Sequence, residues 1–328
     1  MSISPEVALR REAGAVLEEV NAEVSKNVVL PNLEREVVVG AFAIGAHVLD
    51  EGAPGTGKTH LANTFGRIID GLQVGRVQGT PETTSNDIIG VSIPRAGSRS
   101  TGVPKFDLFE GPLLKANLLH VDEGNRMNTR VQAALLEGMQ EGKVTVFGQD
   151  YELQKPFVTL FTQNPTEIGQ GTNPLTKAQR DRFAVSVQQP ALSETAMIAI
   201  DDLDHEPAAV ADLEDLSRVA AAAKTIEVSR DVKEKTARLI VTLRKFEGVN
   251  PLESTLDGAR ALKDTLRLAR VRALREGRVS VTANDAYTAS SFTLPHRLGL
   301  TFAYEDSGRT AQHAVTEALE SIIKPKSI

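Results

Sequence analysis

Eight consecutive residues, Gly52-Ala53-Pro54-Gly55-Thr56-Gly57-Lys58-Thr59, fit the spacing G-x-x-x-x-G-K-[ST]. No other stretch of the chain restricts the fold as strongly. A loop of this kind works only between a buried strand and a helix: the strand anchors it, and the helix N-terminus turns free N–H groups and a positive dipole end toward an anion. The flanks agree. Ala46-His47-Val48-Leu49 reads as a short strand, and His60-Leu61-Ala62-Asn63-Thr64-Phe65 opens a helix. Gly52, Pro54, Gly55, Thr56, Gly57, Lys58, Thr59 and His60 are therefore the expected phosphate-contacting residues. Lys58 would reach the β- and γ-phosphates, and the Thr59 hydroxyl would take a place on Mg²⁺.

At 328 residues the chain can bury a sizeable core and suggests two domains. With no cysteine, disulfides and thiolate metal sites are ruled out. The six histidines are scattered, without the H-x₃-H spacing of a metal site, so Mg²⁺ is the one metal expected. A net charge of −6, 4% aromatic residues and no Trp argue against a nucleic-acid motor. No apolar run approaches the ~18 residues of a membrane span. Met1-Ser2-Ile3-Ser4-Pro5-Glu6 lacks the basic-then-apolar order of a secretion signal, so a cytoplasmic location is expected.

Residues 5–26 carry an apolar stripe of helical period, and a second helix from Leu33 to about Ile44 follows Pro31. Beyond Phe65, strands alternate with helices, which predicts a parallel sheet covered on both faces. Candidate strands are Gly75–Gln78, Ala116–Val121 and Phe157–Thr162. Residues 91–112, rich in Gly and Pro, read as an inserted loop or hairpin. Residues 143–155 read as a β-hairpin around Phe147-Gly148-Gln149-Asp150. After Pro190 the pattern is helical, at 213–224, 230–246, 257–276, 283–292 and 306–323, before a basic tail at 324–326. The expected division is an N-terminal helix at 1–30, an α/β nucleotide-binding domain at 31–190, a helical lid at 191–300, and a C-terminal helix and tail at 301–328.

Asp122 and Glu123 end an apolar strand some sixty residues after the loop. This is the arrangement in which an Asp holds the metal shell and a Glu polarises the attacking water. Further on, Asn164 of Thr162-Gln163-Asn164-Pro165 would either touch the γ-phosphate or simply form an Asn-Pro turn.

In order along the chain stand GAPGTGKT, NLLHVDEGNR, QAALLEGMQEGKVTV, FTQNP and PLTKAQRDRF. The set resembles the MoxR family of AAA+ ATPases, whose pattern reads GxPGxGKT, NLLLADEINR, QAALLEAMQExxVTV, ATQNP and LPEAQLDRF. The match covers roughly residues 30–300. The resemblance implies a P-loop AAA+ core with two inserted hairpin or loop elements, the helix-2 insert at 91–112 and the pre-sensor hairpin at 143–155, followed by a helical lid. It further implies a ring, expected to be a hexamer, that couples Mg²⁺-dependent ATP hydrolysis to remodelling of a partner complex, with a von Willebrand factor A domain protein as the expected partner.

By the same resemblance Asn164 looks like sensor 1, and Arg182 like the arginine finger that reaches a neighbour's γ-phosphate, with Arg180 a second candidate. Arg260 looks like sensor 2, although Gly258-Ala259 replaces the family's Ser-Pro and a helix-start role would also suit it. Arg126 and Glu137 match positions expected at an interface or in a structural role. The catalytic set is thus Lys58, Glu123, Asn164 and Arg182, with Thr59 and Asp122 on the metal. Some positions depart from the family. Asn27-Val28-Val29-Leu30 replaces a Val-Gly-Gln motif near the adenine, so Val28, Val29 and Leu30 are the expected base contacts. Gly124, Gly138 and Asp50 stand where other residues are usual. A nucleotide-gated scaffold with slow turnover, of gas-vesicle or defence-assembly type, is the alternative output for the same site.

Overall fold

Two helices precede the first strand. Helix α1 (Pro5–Asn27) starts with Pro5 in its first turn and with Ser4 accepting a hydrogen bond from the Val7 N–H. Helix α2 (Asn32–Ala43) follows the break at Pro31. The computed structural model describes residues 4–52, 55–94, 106–146, 148–164, 171–189 and 192–323. The chain continues through β1 (Val48–Gly52), α3 (Lys58–Ile68), β2 (Ile69–Asp70), β3 (Val74–Gln78), α4 (Ser85–Ile89), β4 (Gly90–Pro94), β5 (Phe106–Glu110), α5 (Pro112–Lys115) and β6 (Leu118–Asp122). Then come α6 (Thr129–Glu141), β7 (Lys143–Val146), β8 (Gln149–Glu152), β9 (Val158–Gln163), α7 (Lys177–Arg180) and β10 (Val185–Gln189).

Five strands form one sheet in the order β10-β1-β9-β6-β3, with every neighbouring pair parallel. The P-loop strand β1 is therefore interior to the sheet, flanked by β10 and β9, and four of its five residues are buried. Because the strands are parallel, the chain ends that follow β1, β6 and β9 all leave from one edge. One apolar cluster packs α1, α2 and α3 on one face of the sheet and continues into the later helices. A second fills the opposite face from α5, α6 and the β7–β8 hairpin.

The remaining elements are α8 (Glu194–Asp201), β11 (Ala211–Asp212), α9 (Leu213–Thr225), α10 (Arg230–Arg244), α11 (Arg260–Arg275), α12 (Ala283–Thr293), α13 (Phe302–Asp306) and α14 (Ala311–Ile323). Helices α10 and α14 build a third core with Leu256, Leu294 and Leu298. The first helix is not an arm: Ala13, Leu17, Val20 and Val24 are buried, and α1 packs on α9, α11 and α3.

Most expected elements stand within two or three residues of their sequence reading, and the shifts have local causes. The reading Ala46–Leu49 moves to β1 because the carbonyl of His47 accepts from the N–H groups of Ala184 and Val185 just ahead of the ladder. In the hairpin, Val146 pairs with Gln149, so Gln149 and Asp150 belong to β8 and not to the turn. Asp150 faces Thr145 and accepts its hydroxyl at 2.7 Å. The insert at 91–112 has an antiparallel stem of β4 and β5, and its residues 95–105 lie outside the described residues. The basic tail at 324–326 lies outside them too.

Candidate nucleotide site and its distant arginines

Past Gly52 the chain turns through Gly55 and Gly57, at φ +82° and +90°, a conformation that L side chains rarely adopt. Gly57 caps α3 from this left-handed position, so the first N–H groups of an 11-residue helix face the loop. The Lys58 ammonium lies back over the loop, donating to the Gly52 carbonyl at 3.0 Å and to Thr56 Oγ1 at 3.2 Å. Pro54, an expected contact, lies outside the described residues.

The acidic pair is held from helix α3 and from the strands β3 and β9. Thr59 Oγ1 donates to Asp122 Oδ2 at 3.4 Å, Thr162 Oγ1 to Asp122 Oδ1 at 3.0 Å, and Arg76 Nη2 to Asp122 Oδ2 at 3.0 Å. Burial works against ionisation of Asp122, but the bonds from Arg76 and Thr162 outweigh it and hold the carboxyl below its usual range. Glu123 is the one non-glycine residue with positive φ among those described, at +52°. That geometry costs about 1–2 kcal/mol and is retained where surrounding contacts over-determine it. Here the Glu123 N–H donates to Thr162 Oγ1 at 3.0 Å, while its carboxylate meets Arg126 Nε at 3.2 Å and Gln78 Nε2 at 3.4 Å.

Asn164, at the end of β9, is buried and faces the same space. Together Gly52, Gly55, Gly57, Lys58, Thr59, His60, Asp122, Glu123, Thr162, Gln163 and Asn164 enclose a cavity of about 400 Å³. The donor set suits a hard divalent cation, because Thr59 and Asp122 bring a hydroxyl and a carboxylate oxygen to one point.

A second cavity of about 210 Å³ shares Gly55, Gly57 and His60 with the first and is otherwise lined by Asn27, Val28, Val29, Thr56, Ile200 and Leu203. It is apolar enough for a nucleobase. Val28 and Val29 line this cavity and Leu30 does not; Leu30 packs into the core, which Val28 also joins. Ile200 and Leu203 were missed. The only signal for them was an apolar run with no core to join, since α8 buries none of its residues.

The arginines lie elsewhere. Arg182 and Arg260 share a cleft of about 230 Å³ with Gly45, Ala46, His47, Gln140, Ala184, Asp264 and Arg267. Residues 45–47 and 184 precede β1 and β10, so this cleft opens at the sheet edge opposite the P-loop. The five residues of β1 between the two edges span roughly 15 Å. Arg260 is thus not among the residues around this chain's own P-loop. Arg182 Nε donates to Gln140 Oε1 at 3.0 Å, and Arg260 Nη1 to Asp181 Oδ2 at 2.6 Å. Arg180 parts from Arg182 and lines another cleft with Glu51, Gln188 and His296. Glu137 is exposed on α6, and Arg126 is tied to Glu123.

Comparison with known proteins places the chain by family. Residues 47–185 match the family model described as ATPase family associated with various cellular activities (AAA), and residues 252–318 match an AAA lid domain. The chain is 34% identical to Chaperone MoxR1 of Mycobacterium tuberculosis, over 90% of this chain and 78% of that protein. It is 32% identical to YeaC of Bacillus subtilis, over 88% of both. The chain belongs to the MoxR family of AAA+ ATPases. A solved structure of a Cytophaga hutchinsonii protein assigned as an ATPase superposes with a TM-score of 0.79 at 27% identity, covering 95% of this chain and 96% of that one.

Against the MoxR pattern, the departures at Gly124, Gly138 and Asp50 are each paired with a neighbour. A Cβ on Gly124 would stand 2.2 Å from the ring of Phe161, so the phenyl group occupies space that an apolar side chain at 124 would need. A Cβ on Gly138 would stand 3.0 Å from Val144 Cγ1 of the hairpin, so the glycine gives that side chain room. Asp50, buried in β1, accepts from Gln189 Nε2 at 2.8 Å.

Proposed function

We propose that this MoxR-family chain is an Mg²⁺-dependent ATPase whose site is completed between neighbouring copies in a ring, expected to be hexameric. One observation carries the reading: a complete P-loop and acidic pair at one sheet edge, and an arginine pair at the other. An arginine that cannot reach its own P-loop can serve the next one if copies pack edge to edge, as heterologous ring contacts require.

The division of labour follows from the residues. The N–H groups of the loop and the Lys58 ammonium bind and orient the triphosphate, with Val28, Val29, Ile200 and Leu203 around the base. Thr59 and Asp122 would hold Mg²⁺, which when bound supplies charge neutralisation on the phosphate oxygens. Glu123 orients the attacking water, and Asn164 faces the γ-phosphate position. Arg182 and Arg260 of a neighbour stabilise the charge that develops on transfer, a contribution of ~10³–10⁵ in rate for an arginine supplied in trans.

The output is remodelling or maturation of a partner complex, with a von Willebrand factor A domain protein as partner, acting in the cytoplasm. The name Chaperone MoxR1 carried by one relative supports this direction. The expected result is that Glu123→Gln binds ATP but turns over about 10²–10⁴ times more slowly, while Lys58→Ala loses binding. Wild-type turnover in Glu123→Gln, measured by phosphate release, would refute the mechanism. The scaffold reading draws on a different observation: Arg76 and Arg126 occupy the two carboxylates, an arrangement suited to slow turnover. Under it, turnover stays slow with a partner present at saturation.

A further inference from the structure

Among the described residues the largest fully buried side chain is a cation, Arg297, in the 3₁₀ turn Pro295–Arg297 between α12 and α13. Its side chain is 0% exposed. Nε donates to Asp181 Oδ1 at 2.9 Å and Nη1 to the Thr293 carbonyl at 2.6 Å. Nη2 reaches Asp264 Oδ2 at 2.6 Å, the Phe183 carbonyl at 3.0 Å and the Asp181 carbonyl at 3.2 Å. The next residue back, His296, adds a bond from Nε2 to the Phe183 carbonyl at 2.9 Å. Burial keeps that ring neutral at ordinary pH, so this nitrogen carries the proton and donates it.

These bonds converge on one short turn. The main-chain carbonyls of residues 181 and 183 are both held by the lid, and the residue between them is Arg182. The charges also alternate: Arg267, Asp264, Arg297, Asp181 and Arg260 form one chain of ion pairs. Its outer members, Arg260 and Arg267, line the cleft that holds Arg182. A buried ionic network adds little net stability over well-packed apolar groups, and its best-attested benefit is a fixed geometry.

We propose that Arg297 is a positioning residue that clamps the Asp181–Phe183 turn to the lid, so that Arg182 and Arg260 are presented to a neighbouring copy as one rigid pair. The inference rests on the shared-site reading above. A lid displacement would then move both arginines together, and loss of the clamp would let Arg182 stray while leaving the P-loop of the same chain untouched. Displacement of a charged group by about 1 Å costs on the order of 10² in rate.

The test is complementation between subunits. Arg297→Lys is expected to bind ATP with wild-type affinity, to keep its KM, and to lose on the order of 10²-fold in kcat. Mixed with Lys58→Ala subunits, which keep an intact clamp and finger, it should recover activity above that of either parent. A purely structural defect would lower ATP binding and would not be rescued in trans. If Arg297→Lys does not fold, Asp181→Asn, which leaves Arg297 paired with Asp264, should show the same pattern with a smaller loss. Arg182→Ala mixed with Lys58→Ala is the control. Rescue of Arg182→Ala without rescue of the clamp variants, or wild-type kcat in both clamp variants, overturns the clamp alone. Failure to rescue Arg182→Ala overturns the shared site, and the clamp with it.

Discussion

Gly124 and Phe161 occupy one volume, and the energetics of that exchange can be measured. A methyl group added at Gly124 would stand 2.2 Å from the Phe161 ring and should cost about 1–3 kcal/mol. Phe161→Ala alone should cost about 3–5 kcal/mol, because the fully buried ring also packs on Phe183 with centroids 5.4 Å apart. The double variant Gly124→Ile/Phe161→Ala should lose clearly less than the sum of Gly124→Ile and Phe161→Ala, as a urea-denaturation cycle would show. Asp50 is a second case. Burial pushes its carboxyl up to about 7, against the attraction of Lys58 and the bond from Gln189. Between about pH 4 and 7 the folded state keeps a proton that the unfolded chain has released, so this group's contribution to stability falls as pH rises. Asp50→Asn should therefore gain on the wild type across that window and hold a constant lead above about pH 7, read from urea midpoints at a series of pH values. The spacing of the P-loop was legible because its glycines and lysine sit in one contiguous run. The left-handed Glu123 was not, since its φ depends on Thr162 from a strand some forty residues away.

Among the elements, long segments with a clear apolar period were readable and short ones were not. Helices α1, α9 and α10 carry caps and stripes that local sequence displays. Strands β2 and β11 are two residues each, too short to show any period, and exist because they pair with each other. Helix α8 escaped because no core face organises it, yet it leads into the base-sized cavity. Replacing Leu203 by Asp should raise the Kd for ATP about tenfold, the equivalent of ~1.4 kcal/mol of lost apolar contact, with kcat at saturation and the urea midpoint little changed. Equal losses in Kd and stability would mean that this segment supports the fold and not the ligand.

For the whole molecule, the proposed shared site would tie chemistry to assembly. Specific ATPase activity should rise with protein concentration in parallel with the ring fraction seen by sedimentation, and Arg182→Ala should assemble and bind ATP without turning it over. A dilute monomer as active as the ring would rule this out. Sequence pattern identified Arg182 and Arg260 separately, as motif matches. Only the folded lid, with Asp181 between them, brings them into one cleft. The segment between β10 and β11 has a consequence for how the molecule comes apart. It is fastened to the core at both ends, through β10 on β1 and β11 on β2, and midway His205 Nε2 and the Ala208 N–H bond the buried Glu23 carboxylate of α1. A protease that cuts the exposed stretch at 204–206 would therefore leave a single particle of unchanged hydrodynamic size. The break would be visible only once the chain is unfolded.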